Sequence, residues 1–170
     1  MTQLFYVARG ANASFPYKIE FENQPSAGVP AQVVHVTQTL DADLDLSTFA
    51  FTGFGFGANR VDVPANANGT SFHTIYDASA RLGVKVKIDA TLDTQTGLLD
   101  VTYTSLDPAT NDVPLDPFAG FLPADDGSGS GDGFLTYSAK VKAGLANATA
   151  FTALGAADRR TCVTFYPMSQ

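Results

Sequence analysis

Three long runs of strict two-residue alternation constrain this chain more than any other feature. Val84, Val86, Ile88, Ala90 and Leu92 alternate with Lys85, Lys87, Asp89 and Thr91. Leu99, Val101 and Tyr103 alternate with Asp100, Thr102 and Thr104, and Leu135, Tyr137, Ala139 and Val141 alternate with Thr136, Ser138 and Lys140. A period of two puts every second side chain on one face, so these are strands with one face buried and one face wet. Such strands belong to antiparallel sheets packed on a second layer, not to the doubly buried parallel sheet of an α/β enzyme.

The rest of the chain follows the same pattern. Leu4 to Ala8 is a short apolar run, and Phe15, Tyr17, Ile19 and Phe21 alternate with Lys18, Glu20 and Glu22. Gln32 to Thr39 is β-rich, with Val34 and Val36 as its inward pair. Phe49 and Phe51 set one phase and Phe54 and Phe56 the other, so a bulge is expected at Gly53. Val61 and Val63, Ser71 to Tyr76, Ala148 to Leu154 and Thr161 to Tyr166 complete the candidate strands. Asp93-Thr94-Gln95-Thr96-Gly97 reads as a hairpin connection. Helix signals are almost absent; Asp45-Leu46-Ser47-Thr48 reads as one capped turn. The expectation is a single all-β domain over residues 1–170, an antiparallel β-sandwich, Ig-like or jelly-roll-like, of about ten strands. One long Pro/Gly/Asp-rich loop, residues 106–133, interrupts it.

Bulk properties narrow the function classes. The chain has 170 residues, enough for one domain with a real core. Its net charge of −7 and charged fraction of 16% oppose binding to a phosphate backbone. No segment reaches the roughly 18 apolar residues of a membrane helix, so no membrane insertion is expected. Met1 to Tyr6 has no basic segment and no long apolar run, so it does not read as a signal peptide. Cys162 is the single cysteine and lies in a strand-like run, which reads as a small core residue.

Several strings resemble a repeat-type β-sandwich domain of unknown function found in large secreted bacterial multidomain proteins. They are Phe21-Glu22-Asn23, Ala31-Gln32-Val33-Val34-His35-Val36-Thr37, Leu40-Asp41-Ala42-Asp43-Leu44-Asp45-Leu46-Ser47-Thr48-Phe49, Gly53-Phe54-Gly55-Phe56-Gly57, Ser105-Leu106-Asp107-Pro108-Ala109-Thr110, Asp116-Pro117-Phe118-Ala119-Gly120-Phe121-Leu122-Pro123 and Gly131-Asp132-Gly133-Phe134. The resemblance implies an extracellular or cell-surface module and carries over no catalytic residue. It weakens at Ala156 to Cys162, which leaves the pairing of the last strand open.

Acidic loops carry the chemical signal. Asp126, Ser128, Ser130 and Asp132 place oxygens at alternate positions with Gly131 at the sixth, the spacing of the first half of a calcium loop. The closing acid of an EF-hand would fall on Tyr137, and a flexible Gly/Ser linker explains the same string. Asp41, Asp43 and Asp45 form a second cluster, Asp107, Asp112 and Asp116 a third; both also read as polar turns. Calcium is the one cofactor these residues suggest. His35 and His73 lack zinc spacing and any nucleophile motif, and read as structural or surface residues. With no Trp in the chain, Tyr6, Tyr76 and Tyr166 are the candidates for stacking on a sugar. An isopeptide cross-link is disfavoured, because every lysine lies on or beside the polar phase of its strand. Three sequons begin at Asn12, Asn68 and Asn147.

The functional expectation is a non-enzymatic extracellular structural or adhesive module, possible calcium ligands included. One alternative is a surface-filament subunit assembled by strand addition, and another is a carbohydrate-binding accessory module of a secreted enzyme. Expected partners are neighbouring domains or identical subunits through edge strands, or a surface polysaccharide.

Overall fold

The computed structural model describes residues 3–6, 14–67, 69–143, 150–153 and 161–166. Its strands are β1 (Gln3–Tyr6), β2 (Ser14–Glu22), β3 (Val33–Thr39), β4 (Leu44–Phe56), β5 (Asn59–Asp62), β6 (Ser71–Asp77), β7 (Lys85–Asp93), β8 (Leu98–Leu106), β9 (Asp132–Val141), β10 (Ala150–Ala153) and β11 (Thr161–Tyr166). One four-residue helix, α1 (Ser79–Leu82), follows β6. Side chains of β1, β10 and β11, those of Tyr6, Tyr166 and Cys162 among them, lie outside this description, as do the sequon residues Asn12, Asn68 and Asn147.

Every pairing among these strands is antiparallel. One sheet runs β2-β9-β4-β5; the other has β3-β8-β7-β6 as its body, and β11 joins it at β3. The body is therefore eight strands in two sheets of four, fewer than the ten or so expected. Of the eleven described strands, β1 and β10 join neither sheet and pair with each other, from Gln3↔Ala153 to Tyr6↔Ala150, and β11 is the fifth strand beside the four-stranded body. The last strand, left open by the sequence, pairs with β3 from Thr161↔Gln38 to Tyr166↔Val33.

The alternating residues face one another as their period requires. Val34 and Val36 of β3, Val86, Ile88 and Ala90 of β7, Leu99 and Val101 of β8, and Leu135 and Ala139 of β9 are all fully buried. Both sheets contribute to a single core. Aromatic rings bridge the layers: Phe21 of β2 meets Tyr103 of β8 at 5.2 Å, and Phe54 of β4 stacks on Phe72 of β6 at 5.3 Å. Tyr103 is fully buried, and its hydroxyl donates to the Phe134 carbonyl at 2.7 Å. That bond satisfies a polar atom that would otherwise be stranded in the core and ties β8 to β9. Burial pushes the Tyr103 phenol well above its ordinary pKa.

Strand β4 explains the phase slip. Phe51 pairs with Tyr137 and Gly53 with Thr136, so Thr52 is the extra residue of a bulge. The bulge resets the alternation, and Phe49, Phe51, Phe54 and Phe56 are all buried. A second irregularity between Asp45 and Ala50 contains the expected capped turn. No helix forms there; the Asp45 carboxylate accepts from the Ser47 amide at 3.1 Å, and the Thr48 hydroxyl donates to the Asp45 carbonyl. The hairpin between β7 and β8 closes as expected. The Asp93 carboxylate accepts from the Gln95 amide at 2.8 Å, and Gly97 takes a positive φ of 74° that a side chain would resist. Helix α1 was not expected; its last turn ends at Gly83 with φ 72°, and the Asp77 carboxylate holds the Ser79 amide at its start.

Candidate functional site

The long loop between β8 and β9 is built, not loose. Three buried polar side chains brace it. Gln32 donates from Nε2 to the carbonyls of Pro114 at 3.0 Å and Asp116 at 2.9 Å. Asn23 donates from Nδ2 to the Leu122 carbonyl at 3.0 Å. The Ser105 hydroxyl accepts from the Phe121 amide at 3.0 Å. Backbone bonds add to these: Ala31 and Leu122 form a bridge, the Asp125 amide donates to the Asn23 carbonyl, and the Asn23 amide donates to the Gly131 carbonyl. Lys85 secures the first turn, donating to the Pro108 carbonyl at 3.1 Å and to Asn111 Oδ1 at 3.0 Å. Phe121 and Leu122 are buried in the core, yet Leu115 and Phe118 between these anchors stand exposed. The loop is thus a hydrogen-bonded bracket carrying two large apolar side chains into solvent.

Gln32, Asn23 and Ser105 were not among the residues expected to matter, although a signal existed. Gln32 shares its phase with Val34 and Val36, and Ser105 shares its phase with Val101 and Tyr103. A polar residue on the inward phase of a strand must find a partner, and here the partner is the loop.

The expected acids fall at two ends of the molecule. Asp41, Asp43 and Asp45 lie beside the Asp93–Gly97 hairpin, where the Leu40 amide donates to the Gly97 carbonyl. Asp107, Asp112, Asp116, Asp126 and Asp132 lie at the other end, with the start of β9. Most close their own turns. The Asp41 carboxylate accepts from the Asp43 amide at 2.9 Å, that of Asp107 from Ala109 at 2.8 Å and Thr110 at 3.1 Å, and that of Asp116 from Phe118 at 2.9 Å. Asp112 instead gives its carbonyl to the Asp107 amide.

Asp126 does gather the Gly/Ser string around itself: its Oδ1 accepts from the Ser128 amide at 2.9 Å and from the Ser130 hydroxyl at 3.1 Å. The Ser128 hydroxyl and amide hold the Asp126 carboxyl below its ordinary pKa. Asp132 is the first residue of β9 and gives its carbonyl to the Gly57 amide at 2.7 Å. Beside them, Asp125 Oδ1 is buried with no hydrogen-bond partner, while its Oδ2 accepts from Gly127 at 3.1 Å. Among the described residues no group of three or more His, Cys, Asp or Glu converges as a metal site.

The histidines sit on the outer face of the second sheet. His35 Nε2 lies 3.0 Å from Asp100 Oδ1, and His73 Nδ1 lies 3.0 Å from Asp89 Oδ1. Lys87 also reaches Asp89, at 2.9 Å. Partial burial pushes the Asp89 carboxyl up, but hydrogen bonds from Lys87 and His73 outweigh it and leave the pKa lowered. Tyr76 turns toward the core, edge-on to Phe56 at 5.7 Å. Among the described residues, the aromatic ring on the outer face of the first sheet is instead Phe134. A groove of about 730 Å³ runs beside it, lined by Lys18, Glu20, Glu22, Ser128 and Asp132. Phe134 lies across Gly55, where a Cβ would meet the ring at 2.2 Å, and Lys18 Nζ is 5.0 Å from the ring centroid.

Comparison of the chain with known protein families, with curated proteins and with solved structures returns no match.

Proposed function

We propose that this chain is a non-enzymatic extracellular module of the β-sandwich class, Ig-like or jelly-roll-like, with a structural or adhesive role. The observation that carries this reading is the braced loop: buried Gln32, Asn23 and Ser105 hold a segment that exposes Leu115 and Phe118. Ordering a loop costs about 1–2 kcal/mol per residue of backbone entropy. Spending it to hold apolar side chains in water serves a surface made for contact. The resemblance to repeat-type domains of secreted bacterial proteins supports a place among neighbouring domains on the cell surface, with contacts through loops and sheet edges. Calcium would stabilise such a module at the Asp125–Asp132 loop, where the buried Asp125 Oδ1 has no partner.

The carbohydrate reading ranks lower. A sugar stacking on Phe134 would have to displace Lys18 from the ring. The filament reading rests on sheet edges that meet no strand among the described residues.

Location is tested by labelling. Leu115→Cys, in a Cys162→Ser background, is expected to react with a membrane-impermeant thiol reagent on intact source cells. Labelling only after lysis would contradict the extracellular reading. For calcium, chelation is expected to lower the melting temperature and added calcium to restore it. Asp126→Asn with Asp132→Asn should abolish that shift, and an unchanged melting temperature would exclude calcium from this loop.

A further inference from the structure

Sheet edges offer unpaired N–H and C=O groups, and proteins guard them with proline, charge, shortness or bulges. Three edges of this molecule have described side chains. Strand β2 carries Pro16 and the Lys18–Glu20 ion pair. Strand β5 is four residues long and carries the Arg60–Asp62 pair. Strand β6 has seven residues, Ser71-Phe72-His73-Thr74-Ile75-Tyr76-Asp77, with no proline and no lysine. It pairs with β7 through an unbroken register, and among the described residues its other edge meets no strand. Ile75 on its outer face is 54% exposed.

We propose that β6 pairs with β6 of a second copy of this chain, antiparallel about Thr74, forming a closed dimer with one continuous sheet. This deepens the edge-contact reading above and rests on it. The strand is complementary to itself in this register. Phe72 falls opposite Tyr76 of the second copy, His73 opposite Ile75, and Ser71 opposite Asp77. Phe72 and Tyr76 are half-buried against Phe54 and Phe56, so pairing them extends the core across the junction. On the outer face, Ile75 stands opposite His73 of the second copy, whose ring is held by Asp89. Asp77 lies diagonally opposite His73 of the second copy, and no two carboxylates face each other. The contact is isologous, so it closes on itself and uses the edge up. It therefore ends growth where strand addition would continue it.

Sedimentation equilibrium of the full chain is expected to show a reversible dimer. Ile75→Lys places a guard on the exposed position, so it should stay folded by circular dichroism and weaken dimerisation about tenfold. Alternate β6 amides, those facing the free edge, should gain hydrogen-exchange protection as concentration rises. A monomer at millimolar concentration overturns the pairing. So does a dimer that Ile75→Lys leaves undiminished, or one without added protection in β6. None of these results bears on location, which the Leu115→Cys labelling reads separately.

Discussion

At the scale of single residues, buried polar side chains tie distant parts of the chain together. Tyr103→Phe removes a buried hydroxyl together with its bond to the Phe134 carbonyl. It is expected to cost about 0.5–1.5 kcal/mol in a denaturant titration. Gln32→Leu keeps the volume but strips the Pro114 and Asp116 carbonyls of their donor, which should cost about 1–3 kcal/mol. Ile88→Asp is harsher. Ile88 is fully buried between Thr74 of β6 and Tyr103 of β8 in the strand register, so an unpaired charge enters the core and the domain should lose its cooperative melt. Lys85→Ala belongs to a different class. It leaves the core intact and frees only the 107–112 turn, so it should cost about 1 kcal/mol or less.

At the scale of elements, glycines and bulges set what the strands can do. Phe134 covers Gly55 on the outer face, and Phe21 covers Gly133 on the inner face, where a Cβ would meet the ring at 2.0 Å. Each ring fills the space of a missing side chain on the neighbouring strand. Gly133→Ala must push the buried Phe21 ring aside, and thermal melting should report a loss of about 1–3 kcal/mol. The strands themselves were legible. Alternation located β7 to within a residue and most of β8 and β9, and two aromatic pairs in opposite phases disclosed a bulge, expected at Gly53 and found one residue earlier at Thr52. The capped turn expected at Asp45 lies in an irregularity of β4 and not in a helix, because an Asp that binds an amide two residues on looks the same in either setting. Helix α1 was hidden because Ser79 to Leu82 is too short to show a period. The loop brace was hidden for a different reason. Gln32 reaches residues about eighty positions away, and no local pattern records such a pairing. The acids were legible as turn formers, but which end of the molecule each occupies depends on strand order.

At the scale of the whole molecule, acidity and rigidity are the properties that experiments can read. Hydrogen bonds hold the carboxyls of Asp77, Asp89, Asp93 and Asp126 below their ordinary range. A carboxyl with a lowered folded pKa contributes stability above its unfolded pKa and loses it as pH falls through the folded one. The melting temperature should therefore hold from neutral pH down to about 4 and fall below it. Asp89→Asn should flatten that fall, and an unchanged slope would remove Asp89 from the account. The central claim is that the 106–133 loop is a braced contact surface, and native-state hydrogen exchange tests it most directly. The amides of Phe118, Ala119 and Phe121 donate to the Asp116 carboxylate, the Asp116 carbonyl and the Ser105 hydroxyl. They are expected to exchange slowly in the native protein and to lose that protection in Gln32→Leu while β7 and β8 keep theirs. Exchange at the unprotected rate in the native protein would show a free linker and contradict the account.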